Sequence, residues 1–378
     1  MLNHTIPLCL YIHIPWCVRK CPYCDFNSHA LRTDLPEKSY IHRLIQELEA
    51  KLFLVENREI KNIFIGGGTP SLFSGEAYKL LFQELGHRIH INPHAEITME
   101  ANPGTVDQAH FKDYFMAGIN RLSLGVQSLQ NEKLAALGRI HNREQVLQAI
   151  DVAKQAGFSN FNIDLMFGLP KQNIDDALKD LYDAIQLQPT HLSWYQLTLE
   201  PNTVFYKYPP KLPKDELIWQ MQLTGQAFLA SQGYSQYEIS AYSQSGFQCQ
   251  HNLNYWRFGD YLGLGAGAHS KITDMQGEIT RHSNIKNPRS YLNAENCIIE
   301  QRTLTREEIP LEFMLNAARL QQPIPFKLFE ATTQLKLDCM QDILNQAKQL
   351  EFLQITDNEI QITARGHQYL NELLELFL

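Results

Sequence analysis

From Leu8 to about Gly267 the chain alternates short apolar runs with stretches of helical spacing. Leu8–Ile14 is almost continuously apolar and predicts a strand. In Tyr40–Leu54 the apolar positions Ile41, Leu44, Ile45, Leu48 and Leu52 follow the spacing of an amphipathic helix. Strands follow at Asn62–Ile65, Glu96–Glu100, Arg121–Gly125, Asn160–Leu165 and His191–Leu197. Helices fall between and after them at Gly75–His87, Asp107–Ala117, Asn142–Ala156, Ile174–Gln186 and Asp215–Ser231. The second strand closes on Gly66-Gly67-Gly68-Thr69-Pro70, the third on Ala101-Asn102-Pro103-Gly104, and Pro209–Pro213 reads as a local turn. Strands alternating with helices of this length predict right-handed βαβ units around a parallel sheet. Chemistry in such sheets collects at the carboxyl ends of the strands. Glu100, Gln127 and Asp164 each fall at or just past a predicted strand end, so they are expected to share one rim.

After about Ile299 the pattern changes. Helices are predicted at Arg306–Arg319, Phe326–Thr332 and Asp338–Leu350. Phe352–Thr356 and Glu359–Thr363 flank Asp357-Asn358 as a hairpin, and Ala364–Leu376 is a last helix. The chain therefore divides into an α/β unit over 1–298 and a small, mainly helical, winged-helix-like unit over 299–378. Winged helices often bind DNA, but residues 300–378 carry 12 acidic and 7 basic side chains. Repulsion by phosphates makes a packing or partner-docking role the better reading.

At 378 residues the chain is long enough for about two to three domains. With 44% hydrophobic and 20% charged residues, it is neither disordered nor fibrous. A formal net charge of −8 gives no general footprint for nucleic acid. No run approaches the roughly 20 apolar residues of a membrane span. Met1–Pro15 lacks the basic start of a secretion signal. Seven cysteines, an odd number, without such a signal predict the reducing cytoplasm.

Three of the seven lie in Cys17-x-x-x-Cys21-x-x-Cys24, directly after a predicted strand and on a loop with Pro15 and Pro22. Zinc sites favour paired C-x-x-C units. Three thiolates at this spacing can instead hold three irons of a cubic [4Fe–4S] cluster. The fourth iron is left open to chelate the amino and carboxylate groups of a small molecule.

This cysteine motif resembles the radical S-adenosylmethionine (SAM) signature. With Tyr11-Ile12-His13-Ile14-Pro15-Trp16-Cys17, Gly66-Gly67-Gly68-Thr69-Pro70, Asn162-Ile163-Asp164-Leu165 and Gly168-Leu169-Pro170, nearly the whole chain is similar to the oxygen-independent coproporphyrinogen III dehydrogenase superfamily. Within it, the chain most resembles the HemW-type heme chaperone branch. The dehydrogenases carry a further Cys two residues after the third, where this chain has Phe26. They also have an N-terminal extension for which Tyr11, near the start, leaves no room. His251-Asn252-Leu253-Asn254-Tyr255-Trp256 is similar to the chaperones' H-N-x-x-Y-W motif.

The resemblance implies a partial (β/α) barrel with the cluster on the loop after the first strand. Cys17, Cys21 and Cys24 would bind it, Tyr11 and Tyr23 would line the SAM site, and Gly67, Gly68 and Thr69 would give the backbone edge that meets SAM's methionine portion. Glu100, Gln127, Arg139 and Asp164 would make polar contacts to SAM, with Arg143 the alternative to Arg139. Heme is the other implied ligand. His251 is the first candidate to ligate its iron and Cys249 the second, while His251 could instead shape the site without touching iron. Trp256, Tyr255 and Phe258 are candidates to shield a porphyrin face. The absence of C-x-x-C-H argues against covalent heme attachment. The glycine-rich 263–268 stretch fits a dinucleotide fingerprint only superficially and is expected to be a close-approach loop.

The implied function is a heme chaperone that binds heme, the cluster and SAM and passes heme to acceptors such as respiratory cytochromes. Homodimerisation and transient contact with membrane proteins are compatible with it. The alternative is oxidative decarboxylation of coproporphyrinogen III.

Overall fold

The computed structural model describes residues 6–32, 34–105 and 108–378. Twelve of the strands among these residues form one sheet. They are β1 (Leu8–Ile14), β2 (Ile60–Gly67), β3 (Ile91–Ala101), β4 (Arg121–Gln127), β5 (Phe161–Phe167), β6 (His191–Gln196), β7 (Ser235–Gln236), β8 (Ala241–Ser243), β9 (Asp260–Leu264), β10 (His269–Thr273), β11 (Ile279–Asn284) and β12 (Ile298–Thr303). Their spatial order is β12-β11-β10-β9-β1-β2-β3-β4-β5-β6-β8-β7. The seven strands from β9 to β6 run parallel, and the flanking strands on both sides are antiparallel.

The connecting helices are α1 (Glu37–Val55), α2 (Gly75–Gly86), α3 (Gln108–Ala117), α4 (Asn131–Ala136), α5 (Arg143–Ala156), α6 (Ile174–Gln186) and α7 (Asp215–Ser231). Asp107, the expected start of α3, lies outside the described residues. Asn142 and Gln145 close a reciprocal capping box at α5, and Asn173 and Asp176 do so at α6. The main core buries the strands' outer side chains, such as Ile12, Ile65, Leu122 and Ile163, among Leu44, Leu81, Ile150 and Leu181 of the helices. The inner side chains alternate with these and are polar, as a period-two strand requires when its two faces meet different surroundings.

The chain between α7 and residue 303 departs most from the expected pattern. Cys249 precedes a short helix, α8 (Gln250–Trp256), so the His251 motif is helical. β9 then inserts beside β1, and β10–β12 extend the sheet. β12 crosses the expected boundary at 298/299 and pairs with β11 from Ile298 to Thr303 with one shift in register. In the 263–268 stretch, Gly263 and Leu264 end β9, and the following turn approaches its neighbours closely. A Cβ on Gly265 (φ +106°) would lie 2.4 Å from the His13 carbonyl oxygen.

Beyond it, helices Ile309–Ala317, Phe326–Thr333 and Gln341–Gln349 pack on a small sheet of Ile324–Pro325, Glu359–Ile362 and Leu353–Ile355. The last expected helix breaks at Tyr369 into Ala364–Gln368 and Leu370–Glu375. This unit shares its core with the barrel through Phe258, whose ring lies 5.6 Å from that of Phe313. Among the described residues, no helix is long and apolar enough to cross a membrane.

Candidate functional site

The sheet curves around a cavity of about 420 Å³ that runs from the carboxyl ends of its parallel strands down to Arg121 and His191, the first residues of β4 and β6. Tyr11, Cys17, Cys21, Tyr23, Cys24, Gly67, Gly68, Thr69, Glu100, Gln127, Arg139, Asp164 and His251 all border it. Residues from 11 to 251 in the chain thus meet at one place.

The cysteine loop leaves β1 and folds back on itself. The Cys24 amide donates to the Cys21 carbonyl at 3.2 Å, and the Leu31 amide to the Cys17 carbonyl at 2.8 Å. Burial pushes the Cys17 and Cys24 thiols above their ordinary pKa, while hydrogen bonds from Thr69 and Ser28 to Cys17 pull the other way. Arg139 reaches the third thiol, with Nη1 3.3 Å from Cys21 Sγ. A cubane needs each thiolate to reach a different iron. Among the described residues no group of three His, Cys, Asp or Glu converges on a single ion. The donor set, three thiol groups on one loop facing one cavity beside a guanidinium, fits a cluster of that kind.

The glycine run is tied to this loop. The Gly68 amide donates to the Ile14 carbonyl and the Thr69 amide to the Trp16 carbonyl, both at 2.7 Å. The Gly67 amide donates to Glu100 Oε2 at 3.0 Å. These backbone donors are therefore committed, and what the run can offer a ligand is carbonyl oxygens and space. A Cβ on Gly68 would lie 2.5 Å from the Trp16 carbonyl oxygen.

Glu100 has few partners for a carboxylate. Burial first, then the nearby Asp164 charge, raise its pKa from 4.5 to about 8 against the pull of the Gly67 amide. Asp164 is better supported, by Asn162 Nδ2 at 2.7 Å and Ser123 Oγ at 3.3 Å, yet burial still raises it. Gln127 ends β4 in the left-handed region (φ +73°), where a non-glycine residue is strained, and accepts the Tyr195 hydroxyl at 2.8 Å. Arg139 Nη2 donates to the Gly125 carbonyl at 2.6 Å. Arg143 lies on the exterior, paired with Asp183 at 3.4 Å, so of the two candidate arginines Arg139 faces the cavity.

His251 is 2% exposed. Its Nδ1 is 2.8 Å from Asn62 Oδ1 and its Nε2 3.1 Å from the Tyr255 hydroxyl. Its ring stacks on Phe64 at 5.1 Å, and burial lowers its pKa to about 3. Tyr255, one helical turn on, also borders the cavity. Trp256 and Phe258 do not shield it. The Trp256 ring faces Arg319 at 4.4 Å, and Phe258 sits in the C-terminal core, because successive residues of α8 and the turn after it point to different sides. Cys249 borders the cavity but is fully buried, and its thiol is pushed up to about 12.

The sequence reading missed the inner layer. Arg121, Ser123, Asn162, His191, Ser193 and Tyr195 all line the cavity. Its signal is present in the chain, as polar residues at every second position of strands that are otherwise apolar: Arg121-x-Ser123, Asn162-x-Asp164 and His191-x-Ser193.

Residues 11–184 match the family model of the radical SAM superfamily, and residues 304–369 that of the HemN C-terminal domain. A heme chaperone HemW from Haemophilus influenzae is 50% identical over 376 residues, covering 98% of both chains. Heme chaperones HemW from Escherichia coli and Bacillus subtilis are 49% and 32% identical, each aligned over at least 97% of both chains. The solved structure of the coproporphyrinogen III oxidase HemN of Escherichia coli, a radical SAM enzyme, superposes with a TM-score of 0.83 over 98% of this chain and 90% of its own, at 23% identity, and shares the fold. The chain belongs to the HemW family of heme chaperones, within the radical SAM superfamily.

Proposed function

We propose that the chain is a heme chaperone of the cytoplasm that holds a [4Fe–4S] cluster, binds SAM against it, carries heme and hands it to acceptor proteins such as respiratory cytochromes. The observation that carries this reading is the meeting of three loop thiols, a glycine edge and the polar side chains of Glu100, Gln127, Arg139 and Asp164 at one cavity. Near full-length similarity to proteins named as heme chaperones supplies the cargo.

In this reading Cys17, Cys21 and Cys24 bind the cluster. The cluster would supply an open iron to chelate SAM and, once reduced, an electron capable in principle of cleaving it. Tyr11, Tyr23 and the Gly67–Thr69 edge confine SAM's methionine end. Arg139 pairs with its carboxylate, and Glu100, Gln127 and Asp164 accept from its ammonium or ribose hydroxyls. His251 shapes the site by holding the Tyr255 hydroxyl. Residues 299–378 form a docking unit for acceptors, including transient membrane-protein partners, and homodimerisation is compatible with the same surface.

Anaerobic reconstitution, heme titration with and without SAM, and transfer to an apo-cytochrome test the reading. The expected result is a SAM-sensitive [4Fe–4S] electron paramagnetic resonance signal with heme passed to the acceptor. An absent cluster signal, or sustained conversion of coproporphyrinogen III in place of transfer, would overturn it.

A further inference from the structure

A second cavity of about 560 Å³ adjoins the first. The two share Tyr11, Phe26, Ser28, Gly67, Glu100 and Tyr255. Imidazole is a common axial ligand of heme iron, and five imidazoles border the two cavities. Four already hold hydrogen-bond partners, three of them at both ring nitrogens. His251 holds Asn62 and Tyr255, and His191 holds Asn162 at 2.7 Å and the Tyr237 hydroxyl at 2.8 Å. His13 holds the Tyr11 hydroxyl at 2.9 Å and the Asn27 carbonyl at 2.8 Å. His29 is 3.2 Å from Asn27 Oδ1 and hydrogen-bonded to the Lys286 backbone.

His269 differs. It is exposed at the start of β10 and, among the described residues, its ring has no hydrogen-bond partner. Its backbone is fixed, because it pairs with Ser283, and its carbonyl oxygen would be 2.0 Å from a Cβ on Gly263. The ring therefore projects from a rigid strand into the cavity wall. Lys20 and Lys286 border the same cavity, and Lys286 has no ion pair among the described residues. Phe26, on the cluster loop, is 60% exposed there and offers an apolar face. Asp25 and Glu100 are the acidic side chains that border this cavity, and Glu300 and Arg281 are charged groups near His269.

We infer that the second cavity seats the heme, with His269 as its axial ligand, Lys20 and Lys286 taking the propionates and Phe26 lying against the macrocycle. This rests on the heme-chaperone reading and deepens it. It sets the cargo against the SAM cavity across a wall of shared residues, so SAM and heme can sense each other through that wall. Neutral imidazole is a common axial ligand, and an uncommitted one on a strand needs no hydrogen bond broken before it binds.

The test titrates ferric hemin into the cluster-reconstituted full chain and reads the Soret band and the electron paramagnetic resonance of the bound heme. His269→Ala is expected to lose the imidazole-ligated signature and bind hemin about tenfold more weakly or worse, and free imidazole is expected to restore the signature. His269→Met, which keeps bulk and exchanges nitrogen for sulfur, is expected to shift the spectrum. Circular dichroism and cluster content establish that each variant is folded. A His269→Ala protein that keeps the wild-type signature overturns the assignment while leaving the chaperone reading intact. Absence of saturable hemin binding by the wild-type chain overturns that reading itself.

Discussion

Arg139 ties the cysteine loop to the barrel. One guanidinium donates to Cys21 Sγ at 3.3 Å and to the Gly125 carbonyl at 2.6 Å. A lysine has a single ammonium and cannot reproduce this planar fork. Arg139→Lys is expected to weaken SAM binding to the reconstituted protein by about tenfold, the loss of one charge-assisted hydrogen bond. Equilibrium titration with SAM checks it, and an unchanged dissociation constant would remove Arg139 from the SAM site.

Gly68 sets how closely the glycine run can approach the loop. A Cβ there would meet the Trp16 carbonyl oxygen at 2.5 Å and carbonyl carbon at 2.9 Å, which are backbone atoms next to Cys17. Gly68→Ala must therefore displace the cysteine loop. The expected outcome is reduced iron per chain after reconstitution, with an unaltered circular dichroism spectrum. Gly86→Ala is the control, because nothing lies within 4 Å of its added Cβ. Full cluster occupancy in Gly68→Ala would show that the loop tolerates the shift.

Six of the seven parallel strands were legible because they are largely apolar runs with helices of clear period between them. Glu100 and Gln127 were legible for the same reason, since a strand end fixes the rim, whereas Asp164 was expected at a strand end and sits in the middle of β5, lining the cavity from inside the barrel. The segment from Ser235 to Thr303 was not legible. Its strands are short and, apart from β9, antiparallel, and β9 begins with Asp260, a buried carboxylate that reads as a surface residue until Arg58, 202 residues earlier, and Lys271 of the adjacent strand pair with it. His251 was legible as a motif, but its hydrogen-bond partner Asn62 lies 189 residues earlier. No local pattern reveals that both of its nitrogens are occupied.

Glu100 gives the ligand-free protein a characteristic pH dependence. Burial raises its pKa from 4.5 to about 8 in the folded chain. A raised carboxyl favours folding in its protonated form. Its contribution is complete below the unfolded value and is lost as pH rises toward 8. Urea unfolding of the ligand-free protein should show stability declining between pH 5 and 8, and Glu100→Gln should flatten that decline. Parallel pH profiles for the two proteins would show that Glu100 is already ionised when folded.

His251 acts in the opposite direction. Burial lowers it from 6.5 to about 3, and His13 and His141 are lowered to about 4, also chiefly by burial. A depressed histidine contributes stability above its unfolded pKa and loses it as pH falls toward the folded value. Acid should therefore destabilise the protein from about pH 6.5 downward. His251→Ala should lessen this acid slope, yet cost about 1–3 kcal/mol at pH 7 by leaving Asn62 and Tyr255 without their partner. Unfolding midpoints at pH 5 and 7 check both. A variant as stable as wild type at pH 7 would show that the two partners re-pair.

Asp260 is the clearest structural keystone outside the cavity. Its Oδ2 accepts from Arg58 Nη1 at 2.6 Å and the Thr273 amide at 2.9 Å, and its Oδ1 accepts from Lys271 Nζ and Thr273 Oγ1, both at 2.9 Å. Burial alone would raise this carboxyl, but Lys271 and Arg58 outweigh it and hold it below its ordinary value. Lys271 also lies over the Phe258 ring at 4.2 Å, and Phe258 packs on Phe313 of the C-terminal unit. Removing the charge therefore strands two buried cations at the junction of the two units. Asp260→Asn is expected to destabilise the chain by about 3–5 kcal/mol. Lys271→Met added to it should recover part of that loss, because one of the stranded charges goes with it. Urea denaturation of the wild type, both single variants and the double variant closes this cycle, and strictly additive losses would show that Asp260 and Lys271 stabilise the junction independently of each other.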